Sequence, residues 1–189
     1  SQVGLYDGDH ELWVSTDDGQ TWRKRSTLPL QTDVGYGAMC FMKDGRLLAG
    51  GAVYRDPHHF YYCISDNDGR TWGKQQKAYL DKRIHDPELA HLDGKYYLHG
   101  RSADRGEGSN RFVLYQSDDG IRWKNGVIVS GDERRPDGYS HNCIINKYND
   151  KPNELMIEYS IIYSPNWPRN RRTNEYVFFV KPEPSSQNE

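Results

Sequence analysis

The sequence predicts an all-β fold assembled from repeated four-stranded antiparallel units. Three observations carry that prediction. An eight-residue pattern recurs: residues 15–22 read STDDGQTW, residues 65–72 read SDNDGRTW, and residues 117–123 hold a shorter copy, SDDGIRW. The copies begin about fifty residues apart, a period that marks stacked supersecondary units. Between them lie apolar-rich runs broken by Asp-Gly, a strong hairpin signal. No stretch sustains a 3.6-residue apolar period over a dozen residues, so helices are not expected.

Taken in order, each unit explains itself. In VGYGAMCFMKDGRLLAGGAVY a strand turns at Asp44-Gly45 into a second strand. HFYYCISDNDGRTWGKQQ continues with a strand, the recurring turn and a strand. The next unit repeats the scheme, with ELAHLDGKYYLHGRS turning at Asp93-Gly94 and RFVLYQSDDGIRWKN at the third copy. Four antiparallel strands in about fifty residues make the blade of a β-propeller. The recurring letters suit a tight turn. Gly permits positive φ, Ser and Asp bond the exposed amides, and Thr and Trp open the last strand. The Trp ring is expected to fold over the turn and bury itself between strands.

Bulk composition excludes several function classes. The 189 residues carry a net charge of −2, so no basic footprint for nucleic acid is present. No apolar run approaches the ~20 residues of a membrane span. Three cysteines without a CxxC spacing make neither a disulfide scaffold nor a zinc site, and buried free thiols are expected. Aromatic residues are abundant, with 14 Tyr and 5 Trp, which suits stacking on sugar faces. His85, His91, His99 and His141 lack a ligand pattern, so no metal and no other cofactor is expected.

The repeated turn resembles the Asp box, S-x-D-x-G-x-T-W, of sialidases and related BNR-repeat proteins. The first copy fits throughout; the second has Asn67 at the Asp position, and the third is one residue shorter with Arg122 in place of Thr. The resemblance spans residues from about 10 to 180. It implies a partial sialidase-like propeller over 1–182, with blades at 1–27 (an outer half only), 33–80, 83–131 and 138–182, and a disordered tail at 183–189. The expectation is therefore about three and a half blades of six, the C-terminal part of such a ring. On this expectation the remaining blades would come from the same chain or another one; alternatively residues 1–27 pair with the tail to close a four-blade ring. Sialidase-like enzymes imply a secreted or cell-surface setting.

Catalytic residues of a propeller lie at the inner-strand entrances, away from the recurring turns. Three places stand out. Asp86, followed by Pro87 and Glu88, precedes a hairpin that returns at Arg101; this resembles the sialidase segment with an acid ahead of an Arg. Tyr139, in GYSHNC, resembles the sialidase tyrosine nucleophile, which needs a carboxylate to take its proton because a phenol has a pKa near ~10. Asp86 or Glu88 fits that role. Arg101, with Arg111 or Arg172, would hold a sugar carboxylate through its planar fork. Each of these also suits a packing or turn role taken singly.

The resemblance thus implies an exo-glycosidase acting on a terminal acidic sugar of the sialic-acid class, its partner a glycan or glycoconjugate. The 189 residues alone are expected to be inactive or nearly so. Two alternatives stand beside it. One is a carbohydrate- or protein-binding propeller without catalysis. The other is a propeller glycosidase with two carboxylates drawn from Asp33, Asp86 and Glu158.

Overall fold

The computed structural model describes residues 9–102, 112–128, 140–147, 154–162 and 172–180, the last three spans as backbone. These residues form strands in antiparallel sheets, with no helix among them. β1 (His10–Val14) and β2 (Arg23–Leu28) make a two-stranded sheet. β3 (Val34–Phe41), β4 (Leu47–Val53), β5 (Asp56–Ser65) and β6 (Gln76–Tyr79) make a four-stranded one in chain order. A second four-stranded sheet follows from β7 (Ile84–Leu92), β8 (Lys95–Ser102), β9 (Phe112–Ser117) and β10 (Lys124–Ile128). β11 (Ser140–Lys147), β12 (Glu154–Ile162) and β13 (Arg172–Val180) form a three-stranded sheet. The first strands of successive sheets, β3, β7 and β11, lie beside one another.

Sequence explains the hairpins. β7 turns into β8 through Asp93 and Gly94, both at positive φ (50° and 75°), which Asp and Gly tolerate better than other residues. β4, LLAGGAV, is buried along its whole length because both faces of a second strand are covered. Gly50 is required there, since a Cβ would stand 2.2 Å from the Tyr61 carbonyl oxygen. The main core joins the two four-stranded sheets. Leu48, Phe60, Tyr62 and Leu80 come from one side, and Ile84, Tyr96, Leu98, Tyr115 and Trp123 from the other. Burying each such side chain contributes roughly 1.5–3 kcal/mol. Two tyrosine hydroxyls pin loops across this seam: Tyr96 accepts from the Lys43 amide at 2.8 Å, and Tyr115 accepts from the Lys82 amide at 2.7 Å.

The recurring Ser/Asp/Gly turns join β1 to β2, β5 to β6 and β9 to β10. In the first, Ser15 Oγ accepts from the Gly19 amide at 2.9 Å, and Asp17 Oδ1 accepts from the Thr21 amide at 2.9 Å. These bonds hold the Asp17 carboxyl down at about 2, the Thr21 hydroxyl being the largest cause. The second turn keeps this geometry with Asn67. Its Oδ1 accepts from the Thr71 amide at 2.9 Å, while its Nδ2 donates to Thr71 Oγ1 at 2.7 Å where Asp17 accepts instead. An amide therefore replaces the carboxylate by reversing one bond. In the shortened third turn Asp119 Oδ1 accepts from both Ile121 and Arg122 amides, at 2.9 and 2.8 Å.

The Trp rings depart from expectation. Trp123 is 4% exposed, but Trp22, which folds back over its own turn and donates Nε1 to the Gly19 carbonyl at 3.0 Å, stays 61% exposed. Trp72 donates instead to Ser26 Oγ at 2.9 Å, tying β2 to the next sheet. The indole is thus a clamp on a carbonyl or hydroxyl, and neighbouring strands decide its burial. Cys40 and Cys63 are free thiols, and burial pushes both up to about 12.

Candidate functional site

Antiparallel chain order puts the recurring turns at one end of each sheet. The starts of β3 and β7 and the β4–β5 hairpin lie at the other. At that second end β7 carries a bulge. His85 pairs with Arg101 and Glu88 with His99, so Asp86 and Pro87 together stand opposite Gly100, one residue more than the partner strand. Bulges of this kind re-aim side chains and concentrate near active sites. Asp86 has φ of 50°, in the left-handed region, directly before a proline that restricts it further. Such backbone costs on the order of 1–3 kcal/mol and persists only where its surroundings impose it. Asp is enriched in that region, which gives a physical reason for Asp at this place. Gly100, on β8, makes room for the bulge: a Cβ there would stand 2.8 Å from the His85 carbonyl oxygen.

The bulge presents a defined set of charges. Asp86 Oδ2 lies 3.3 Å from Arg101 Nε, with the side chains 15% and 18% exposed. That nitrogen finds no partner of hydrogen-bond geometry, so the pair is an ionic contact. His85 sits beside both, and its basicity is lowered first by burial and then by the Arg101 charge. Glu88 behaves differently from Asp86. It is open to solvent, yet the protein atoms crowding one side raise its carboxyl above the usual range. Register places Glu88 across from His99, two positions from Arg101 on β8, and so on the face that Arg101 shares.

Behind this set runs a buried polar row. Tyr97, His99 and Arg101 alternate along β8 and therefore share a face. The Tyr97 hydroxyl and both His99 ring nitrogens are buried without hydrogen-bond partners. His99 is 0% exposed and stacks on Phe112 at 4.9 Å, and burial lowers its pKa to about 3.

The structure thus brings Asp86, Glu88 and Arg101 together. Tyr139 and Arg111 lie outside the described residues. Arg172 is the first residue of β13, across from Ile162, with β12 between it and β11. Glu158 is placed on β12 as backbone, and Asp33 precedes β3 as an exposed side chain.

Two neighbours of the site were not picked out as sugar contacts from sequence. Tyr54, at the tip of the β4–β5 hairpin, stacks on His85 with centroids 5.0 Å apart and planes 14° off parallel. Asp56, in the same hairpin, accepts from the Tyr61 hydroxyl at 2.6 Å and from His59 Nδ1 at 2.8 Å. That bond, with burial, raises the Tyr61 phenol to about 12. A weak signal existed for this hairpin: Asp56-Pro57 repeats the Asp-Pro of Asp86-Pro87. Among the described residues no group of three or more His, Cys, Asp and Glu is placed to hold a metal ion. No helix among them is long and apolar enough to cross a membrane.

All-β antiparallel sheets with this arrangement make a propeller-type fold, shared with solved structures of low sequence identity. A BNR repeat-like domain model matches residues 2–143, and the chain belongs to that family. Among solved structures, an α-L-arabinanase of Penicillium chrysogenum complexed with arabinobiose is similar with a TM-score of 0.68 and 16% identity, over 92% of this chain and 55% of its own. The GH93 α-L-arabinofuranosidase of Fusarium graminearum, also with arabinobiose, gives 0.65 and 17%, over 91% and 55%. The NanB sialidase of Streptococcus pneumoniae gives 0.56 and 18%, over 90% and 26%. The chain spans about half the length of the first two. No curated protein sequence matches it.

Proposed function

We propose that the chain forms the carboxylate-bearing part of a glycan-hydrolysing propeller, with Glu88 as proton donor and with Asp86 and Arg101 orienting the sugar. The observation that supports this most directly is the contrast between two carboxyl groups two residues apart. Asp86 is committed to Arg101 at 3.3 Å, whereas Glu88 is raised and open to solvent. Burial raises Glu88 above the usual carboxyl range, as suits a proton donor. A carboxyl whose affinity for its proton is raised can deliver that proton to the leaving glycosidic oxygen. The favoured substrate is a neutral arabinan-type glycan, because two similar folds carry arabinobiose.

A second reading keeps the sialic-acid class. Arg101 is a largely buried guanidinium, Tyr139 directly precedes β11, and β11 lies beside β7. There Tyr139 gives its phenol proton to Asp86 or Glu88 and attacks the anomeric carbon, the glycosidic C–O bond breaks, and the leaving oxygen takes a proton from an acid on further blades; Arg101 holds the sugar carboxylate, with Arg111 or Arg172 in support.

A substrate panel separates the two. The chain is assayed on fluorogenic α-L-arabinofuranosides, arabinan oligosaccharides and sialosides, alone and within any longer natural polypeptide. Arabinoside turnover that falls about 10²–10⁴-fold in Glu88→Gln supports the first reading. Sialoside turnover that Tyr139→Phe abolishes replaces it with the second. A protein that neither binds nor cleaves any of these glycans refutes both.

A further inference from the structure

We infer that Tyr54 is a sugar-stacking platform for this site, recruited from the adjacent sheet. The inference rests on the glycan reading above and deepens it by naming a contact and a ligand class. Tyr54 is 71% exposed, more than any other large apolar side chain among the described residues. A hairpin tip imposes no packing need for an aromatic ring there. Yet the ring is not loose: one face lies on His85 at 5.0 Å and 14°. His85 adjoins Asp86 and pairs with Arg101. Burial and the Arg101 charge both favour the uncharged imidazole. The stack is therefore a neutral, flat contact, and it holds the Tyr54 plane in one orientation while its second face stays open to solvent.

A fixed aromatic face with water on it recognises the C–H face of a sugar ring, and the hydroxyl gives it a polar edge. An aromatic face meets a sugar through its C–H bonds, so the ring unit it takes needs no charged group. Ionic recognition stays with Arg101 and Asp86. Tyr54 is a binding residue in this assignment, and Glu88 remains the group that acts on the glycosidic bond.

The test is calorimetric titration of wild type, Tyr54→Ala, Tyr54→Phe and Glu88→Gln with arabinobiose and, separately, with sialyllactose. Wild type binds arabinobiose, Tyr54→Ala raises its Kd about tenfold, and Tyr54→Phe stays within about twofold, since a stacking contact needs the ring and not the hydroxyl. Glu88→Gln binds but does not turn over. Because Tyr54 is exposed, all Tyr54 variants keep the thermal midpoint of wild type. Wild-type binding with an unchanged Kd in Tyr54→Ala overturns the platform and leaves the glycan reading standing. Equal weakening in Ala and Phe variants also overturns it, by assigning the effect to the hydroxyl. Binding of sialyllactose but not arabinobiose overturns the neutral-sugar assignment. Binding of neither overturns the glycan reading and the platform with it.

Discussion

Replacing His99 with Leu should make the protein less sensitive to mild acid. The side chain is fully buried, both ring nitrogens lack partners, and its pKa falls from 6.5 to about 3. A base with a depressed folded pKa keeps its full stability contribution above its unfolded value. That contribution is lost as pH falls, here from 6.5 toward about 3. Each pH unit in that window costs about 1.4 kcal/mol. At pH 7.5 the penalty is close to zero. At pH 5 the 1.5-unit gap to 6.5 gives about 2 kcal/mol. Leu pays none of this and needs no hydrogen bond. Urea unfolding of wild type and His99→Leu at pH 7.5 and pH 5 measures the difference directly. The gap between the two proteins should shift by about 2 kcal/mol in favour of Leu at the lower pH. A gap that is the same at both values would refute the argument, because it would mean that His99 binds its proton equally well folded and unfolded.

Other expectations follow from single contacts. Glu88→Gln should remove the alkaline limb of the kcat/KM profile against pH, since wild type loses the active protonated carboxyl as pH rises through its raised value; a limb that persists in the variant assigns the proton to another group. Gly100→Ala should cost about 1–3 kcal/mol in urea melts and also weaken glycan binding, because its Cβ would press on the His85 carbonyl and shift the bulge; stability lost with binding intact would uncouple Gly100 from the site. Ser65→Ala should cost about 1–3 kcal/mol, as Ser65 Oγ accepts from the buried Gly69 amide at 2.8 Å, and the more exposed Ser15→Ala should cost less in the same melts. Tyr61 should ionise only near pH 12, its stabilising bond to Asp56 being complete below 10 and lost as pH rises to about 12; a phenolate absorbance change in Asp56→Asn at lower pH than in wild type checks it.

The fold class was readable because its signals are local. Asp93-Gly94 forces one hairpin, and Ser15, Asp17 and Gly19 specify a turn from eight consecutive residues. The pairing of Asp86 with Arg101 was half readable: the sequence set both at one hairpin, but only the register showed the bulge that turns Asp86 onto Arg101. Tyr54 and His85 were not readable as a pair, since they stand 5.0 Å apart across two sheets and no short-range pattern links them. The environment of Glu88 was likewise invisible, because desolvation depends on what packs around a group. The fate of the indoles was missed for the same reason. Trp22, Trp72 and Trp123 follow nearly the same local letters, and differences in their tertiary neighbours leave one exposed and another enclosed.

The Ser/Asp/Gly corners and the bulged end of β7 sit at opposite extremities of the sheets. β5 alone runs ten residues between a corner and the far hairpin, roughly 33 Å at about 3.3 Å per residue. Most of the self-contained bonding that holds a hairpin shut is therefore remote from the groups that meet a ligand. Residues such as Tyr54 can therefore be exchanged with little cost to the scaffold, so one frame tolerates a varied far rim.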